Sequence, residues 1–229
     1  MKRIKVWDGP TRIFHWLLAM SVVGALVTQK IGGNALVWHG RLGLLVLGLL
    51  VFRVLWGFIG STYARFGQFV RGPAAIRAYL RGEWQGVGHN PLGALSVLGL
   101  LGVLAALVAT GLFSNDDIAF EGPLYPWVGK ATSDMLVGYH RLLEPLIIVL
   151  VVAHLAAIVF YTRVKKDNLV KPMVVGWKEC ETGESARGGN IVALLVAVLI
   201  AAATVCAVGG GWFLPEPPVA PPSGSAPSW

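Results

Sequence analysis

Long apolar runs separated by shorter polar segments organise this chain. Five runs lie at roughly 13–30, 37–60, 90–113, 139–162 and 189–213. Each is close to the ~20 residues that a helix needs to cross the ~30 Å hydrocarbon layer of a bilayer. The pattern therefore predicts an all-α integral membrane protein, with a four-helix bundle and a fifth transmembrane helix.

The first run is the weakest of the five, since only Ile13 to Val27 is cleanly apolar. A secretory signal peptide is the alternative interpretation. However, no small-x-small cleavage site precedes a polar mature sequence, and a histidine lies at the start of the run. We interpret the run as a retained helix.

The runs divide the chain into three predicted parts. Residues 1–187 form a core of four transmembrane helices plus the polar loop 163–187, and residues 188–213 form the fifth helix. That helix is rich in alanine and has no histidine, so we expect it to pack beside the core or against a partner subunit. The tail 214–229 is rich in proline and serine and is expected to be disordered.

Composition and charge agree with a membrane protein. Hydrophobic residues make up 55% of the 229 residues and charged residues only 14%, whereas soluble domains are nearer a quarter charged. The net charge of +7 invites a nucleic-acid partner, but the charges are segregated by side rather than gathered in a patch. Fourteen of the 19 lysines and arginines lie in the N-terminal segment and in the loops 61–89 and 163–188. The positive-inside rule then places the N-terminus in the cytoplasm and the C-terminus on the opposite side.

The two cysteines give no cofactor signal. Cys180 falls in a basic loop and Cys206 in the last run, and no C-x-x-C-H motif for covalent haem attachment is present. A disulfide between a cytoplasmic loop and a membrane helix is not expected. We interpret both as ordinary thiols.

Four of the five histidines fall within or at the edges of apolar runs. His140 and His154 are fourteen residues apart, so they lie on one helix face about 21 Å apart along the axis. Alternating span directions put His39 at the depth of His140, and His15 at the depth of His154. Polar side chains at these depths are costly unless they bind something. Their depths therefore predict two sites with two imidazoles each.

Haem b is the occupant that best fits two imidazoles per level. Its iron takes two axial histidines, and its flat apolar macrocycle fits between the helices of a bundle. Zinc prefers three or four ligands at one depth, and a dinuclear iron or copper site would also need more ligands than two.

Haem propionates are carboxylates, and arginines near each site are candidate partners. The alternative for every one of them is that the side chain only extends to the lipid head groups. Gly43, one turn from His39, could let a porphyrin approach the helix backbone, or it could serve helix packing instead. The candidate arginines are Arg12, Arg41, Arg53 and Arg141.

Two further polar residues have open interpretations. Glu144 lies one turn from His140 and could relay a proton, although a hydrogen bond near the membrane interface is the favoured explanation. His89 lies in a basic loop and is expected to be solvated, with a quinone pocket as the alternative.

At this point the residues resemble a known group, the bacterial cytochrome b561 family, which includes the b-type cytochrome subunit of nickel-iron hydrogenases. The resemblance covers about residues 5–180. It is carried by VWDGPTRIFHW at 6–16, HGRLGLLVLGLLVFRVLWG at 39–57, NPLGALSV at 90–97, the pair His140 and His154, and DNLVKPMVVGWK at 167–178. A departure is Trp177, where the family usually has a basic residue.

The resemblance implies a four-helix core with two b haems, one ligated by His15 with His154 and the other by His39 with His140. It also implies a bacterial inner membrane location, quinone chemistry and electron exchange with a periplasmic redox partner. The predicted function is electron transfer between the quinone pool and such a partner, which would be a c-type cytochrome, a hydrogenase or another dehydrogenase. A self-contained quinone oxidoreductase, such as one acting on superoxide, is one alternative. A haem-free transporter or scaffold whose histidines relay protons is another, and a homo-oligomer is left open.

Overall fold

The computed structural model describes residues 2–84, 86–118, 120–181 and 183–213, without the side chains of residues 211–213. The proline-rich tail 214–229 lies outside the described residues, so its predicted disorder stays a prediction. The long helices within these ranges are α1 (Gly9–Ile31), α2 (Leu36–Ile59), α5 (Pro91–Leu112), α6 (Lys130–Arg163) and α8 (Ile191–Phe213). All five are long and apolar enough to cross a membrane, which confirms the predicted all-α membrane fold.

Shorter elements gather at the end of the bundle where α1 begins, which we call the N-terminal face. Strand β1 (Lys2–Lys5) pairs antiparallel with β2 (Trp177–Cys180), so the start of the chain is tied to the segment after α6. Ile4 of β1 is fully buried and packs with Val6 and Trp7. The short helices on this face are α3 (Phe66–Phe69), α4 (Pro73–Leu80) and α7 (Val170–Val175).

Helix α6 begins nine residues before the apolar run that predicted it. Residues 130–138, expected to be part of a loop, form its first turns. Lys130 and Asp134 make an ion pair with i,i+4 spacing, which is a spacing that supports a helix in water. Hydropathy marks only the apolar part of a helix, so these polar turns did not register.

The helices pack around two buried apolar clusters. Residues of α2, α5 and α6 meet in one cluster that includes Leu50, Leu104 and Ile147. The other joins α1 and α2 to α8 through Phe14, Phe52 and Ala197, among others. The fifth helix therefore packs directly on the core, which is one of the two placements expected for it.

Candidate functional site

The four membrane-level histidines form two facing pairs. The ring centroids of His15 on α1 and His154 on α6 are 6.5 Å apart. Those of His39 on α2 and His140 on α6 are 6.1 Å apart. Two imidazoles on opposite sides of one metal ion have centroids about 6 Å apart, because each metal–nitrogen bond is about 2 Å. The structure thus brings together the same pairs that depth predicts, at separations that fit a metal between them.

Backbone carbonyls fix both rings of the His39/His140 pair. His39 Nδ1 lies 2.9 Å from the carbonyl oxygen of Ala25, and His140 Nδ1 lies 2.9 Å from that of Leu107. The Thr110 hydroxyl is also 3.1 Å from His140 Nδ1. An imidazole that donates from Nδ1 keeps the lone pair of Nε2 free for a metal. This arrangement would therefore leave Nε2 of both rings available to hold a metal.

A glycine on α5 lets His140 approach that helix. A Cβ atom on Gly111 would lie 3.1 Å from His140 Cε1, closer than ordinary van der Waals contact. Sequence analysis missed Gly111, Thr110 and Leu107. Since α5 has no histidine, nothing along its own sequence marked it as part of a site.

A cavity of about 340 Å³ lies beside the His39/His140 pair. Its walls come from α1, α2, α5 and α6 and are mostly aliphatic, which suits a flat apolar macrocycle. Gly43 lines this cavity, and no atom lies within 4 Å of where its Cβ would be. Other lining residues include Val22, Leu26, Leu44, Leu104, Val108 and Ile147.

Comparison of the sequence with known proteins identifies the family of this chain. Residues 6–176 match the sequence model of the prokaryotic cytochrome b561 family. The chain belongs to this family. The b561 family and its b-type cytochromes transfer electrons in membranes with haem b, and this cytochrome does the same.

Its curated relatives are similar over most of their length. A probable Ni/Fe-hydrogenase 1 B-type cytochrome subunit of Escherichia coli K12 is 23% identical, covering 78% of this chain and 92% of the relative. A probable Ni/Fe-hydrogenase B-type cytochrome subunit of Azotobacter vinelandii is 27% identical, covering 76% and 88%. No solved structure matches the chain.

Arg53 has the properties expected of a propionate partner in this cytochrome. The side chain is 3% exposed, and its Nη1 is buried with no hydrogen-bond partner. Its guanidinium carbon lies 4.8 Å from the centre of the Phe66 ring. A buried cation needs an anionic partner, and a haem carboxylate fits that need.

The other three candidate arginines differ in placement. Arg141 lines the cavity beside the His39/His140 pair. Arg41 is exposed, and its guanidinium lies 5.0 Å from the ring centre of Trp38, away from the described lining of that cavity. Arg12 donates from Nη1 to the carbonyl oxygen of Val174, while its Nε is buried without a partner. Of these three, only Arg141 is therefore placed beside an imidazole pair by the contacts of the described residues.

Glu144 takes part in an ion pair at the opposite face of the bundle. Its Oε1 lies 2.7 Å from Lys30 Nζ, and Gln29 Nε2 donates to its Oε2 at 3.5 Å. The carboxylate also lines the cavity. These contacts match the favoured expectation of a hydrogen-bonded carboxylate near the membrane interface.

The expectation that His89 is solvated is wrong. Its ring packs between those of Trp7 and Phe69, with centroid distances of 4.7 and 4.6 Å. Burial of the ring, and to a smaller extent the nearby charge of Arg53, lowers the pKa of His89 to about 3. The imidazole is neutral at pH 7, and its Nδ1 is buried without a partner. The aromatic neighbours are distant in sequence, so local pattern alone did not reveal them.

Proposed function

We propose that this cytochrome carries electrons across the bacterial inner membrane through two b haems. One haem is held by His15 and His154, and the other by His39 and His140. The observation that carries the proposal is the pair of facing imidazole couples, about 6 Å between centroids, at two depths of one bundle. The N-terminal face, with its basic loops, is on the cytoplasmic side.

Each haem supplies a one-electron couple, and the chain supplies its surroundings. Helix α6 contributes one imidazole to each pair, which sets the spacing between the sites. The carbonyls of Ala25 and Leu107 orient the rings of the His39/His140 pair. Aliphatic side chains keep water away, and Arg53 offsets the charge of a propionate. Moving one charge fully across the bilayer is worth about 2.3 kcal/mol per 100 mV.

The electron partners are a membrane quinone and a periplasmic redox protein. A hydrogenase is the first candidate for the latter, since the curated relatives are named as hydrogenase cytochrome subunits. A c-type cytochrome or another dehydrogenase is the alternative. The described outer segment between α5 and α6 offers a carboxylate at Asp117 for docking, although Lys130 already pairs with it.

Haem stoichiometry in ligand variants tests the two-haem proposal. The purified wild-type protein should contain two haem b per chain by pyridine haemochrome assay, with two one-electron steps in a redox titration. His154→Ala should keep one haem, and so should His39→Ala, with different remaining potentials. A His154→Ala protein that still holds two haems would contradict the pairing.

Two further outcomes point to other functions. A colourless wild-type protein after haem-replete expression would favour a haem-free transporter or scaffold. Quinol turnover with no added partner protein would favour a self-contained oxidoreductase.

A further inference from the structure

Buried polar atoms without hydrogen-bond partners are concentrated in the half of the bundle next to the N-terminal face, around the His15/His154 pair. Nine buried side-chain nitrogen or oxygen atoms in the described residues have no hydrogen-bond partner, and eight of them lie in this half. Five of these eight are nitrogens of arginine or histidine. Buried polar groups are normally hydrogen-bonded, so this region is suited to a ligand that is rich in acceptors.

Two of these nitrogens come together at one aromatic ring. The Phe69 ring centre is 5.7 Å from the Arg53 guanidinium carbon and 4.6 Å from the centre of the His89 ring. Arg53, His15 and His154 all lie close enough to His89 for their charges to act on it. The imidazole and the guanidinium therefore both lie against the Phe69 ring, within electrostatic range of the His15/His154 pair, and we call this site the Arg53/His89 pocket.

Two sets of contacts hold His89 in place, one at its ring and one at the next residue. Its ring is clamped between Trp7 and Phe69. The next residue, Asn90, caps α5 by accepting from the backbone nitrogen of Gly93 at 2.7 Å. A clamped ring with a free nitrogen loses little side-chain entropy when it binds a ligand.

The chemistry of the pocket selects an anionic oxygen acceptor. Arg53 is a buried cation with an unused nitrogen. The nearby carboxylate of Asp8 already accepts from the Thr11 backbone nitrogen and from Trp56 Nε1. A carboxylate that accepts from both Arg53 and His89 would satisfy two donors and balance the charge. A quinone carbonyl could also accept from both donors, but it is neutral, so Asp8, whose oxygens already accept from Thr11 and Trp56, would remain the nearby anion for Arg53.

We propose that Arg53 and His89 together bind one propionate carboxylate of the haem between His15 and His154. This inference rests on the proposed function, because it needs a haem at that pair. It gives His89 a role beyond the four ligands, as a hydrogen-bond donor that anchors the haem and offsets its carboxylate charge.

The test is a redox titration of His89→Phe. Phenylalanine keeps a ring between Trp7 and Phe69 and removes both nitrogens. The variant should retain two haems per chain, while the potential of the His15/His154 haem falls, because its carboxylate loses a donor. The other haem should not shift, and His154→Ala identifies which potential belongs to which pair. Tyr79→Phe, which removes a hydroxyl on the same face outside the pocket, is the matched control and should shift neither potential.

A modified haem identifies the acceptor. In protein loaded with haem dimethyl ester, which lacks free carboxylates, His89→Phe should produce no further shift. His89→Gln keeps an N–H donor and should restore part of the wild-type potential. If His89→Phe does not accumulate, the comparison of wild type with His89→Gln and the ester haem still decides the proposal.

Two results would overturn the inference. One is an unchanged potential of the His15/His154 haem in His89→Phe; if the spectral response to a quinone analogue is lost at the same time, the pocket belongs to a quinone. The other is a shift that is equally large with the ester haem. A wild-type protein without haem at His15/His154 would instead defeat the proposed function itself.

Discussion

Single residues decide how tightly each imidazole is held. The rings of His39 and His140 are anchored at Nδ1 by carbonyl oxygens, whereas His15 Nδ1 is buried without a partner. A hydrogen bond to Nδ1–H fixes the orientation and raises the basicity of a ligating imidazole. The two pairs therefore differ in how firmly their rings are oriented.

Gly111 gives a direct test of this packing. Gly111→Ala should weaken or displace the haem at His39/His140, because the new Cβ would lie 3.1 Å from His140 Cε1. Overpacking of this kind costs about 1–3 kcal/mol. Haem content and the redox titration measure the effect. Gly99→Ala on the same helix has open space at its Cβ and should leave both haems in place; equal behaviour of the two variants would contradict the packing argument.

The lowered pKa of His89 predicts that the stability of the folded protein depends on pH. Its pKa is about 6.5 in an unfolded chain and about 3 in the folded protein. Between these values the unfolded state binds a proton that the folded state does not, so stability falls as the pH falls below 6.5. For the haem-free protein, we expect the apparent unfolding temperature in detergent to drop between pH 7.5 and pH 5.5, and to drop less in His89→Phe.

Both proteins keep the other four histidines, so the difference between the two slopes reports the imidazole of His89 together with its charge interactions with His15 and His154. Identical slopes would mean that His89 is as accessible to protons in the folded state as in the unfolded one.

At the scale of elements, the close approach of α2 and α8 depends on a glycine. A Cβ at Gly48 would lie 2.8 Å from Val205 Cγ2, and small residues permit such contacts between membrane helices. The buried residues Ala197 and Ala201 extend the same contact along α8. This surface explains why the alanine-rich fifth helix packs on the core.

A paired substitution checks the helix contact. Gly48→Ala should lower the apparent unfolding temperature, because overpacking reduces the free energy of unfolding by about 1–3 kcal/mol. Adding Val205→Ala should restore most of that loss in the double variant. The Gly48→Ala variant and the double variant should each keep two haems, since neither residue lies at an imidazole pair. Additive losses in the double variant would show that the two side chains do not meet.

At the scale of the whole molecule, the basic loops and the short elements of the N-terminal face cover one end of the bundle, and we call them the cap. Strand β1 joins β2, and Thr62 and Arg187 exchange hydrogen bonds. The four-helix arrangement and the cap together place the His15/His154 pair near the basic side and the His39/His140 pair near the other. Two haems bound at these pairs, as we propose, would form an electron path between the two faces.

Cysteine labelling tests the orientation. In a background without Cys180 and Cys206, Asp117→Cys should react with a membrane-impermeant maleimide in intact spheroplasts. Arg81→Cys should react only after the membrane is opened, because the basic loops face the cytoplasm. The reverse pattern would invert the proposed orientation while leaving the haem pairs unchanged.

The sequence by itself predicted the five spans, which the structure confirms, and the matching of His15 with His154 and of His39 with His140, which the structure brings together. The sidedness of the spans stays a prediction. These features follow from helix periodicity and from the charge bias between the loops, and both can be read directly from the linear sequence. It also singled out Arg53, from its spacing to His39.

Only the tertiary structure decided which groups surround those histidines. Several features depend on contacts between distant segments. They are the carbonyls of Ala25 and Leu107, the clearance at Gly111, the packing of His89 against Trp7 and Phe69, and the packing of α8 on α2. Such contacts follow from how side chains from different helices share space. A pattern along one helix reports which of its faces is apolar, but not which neighbour fills it.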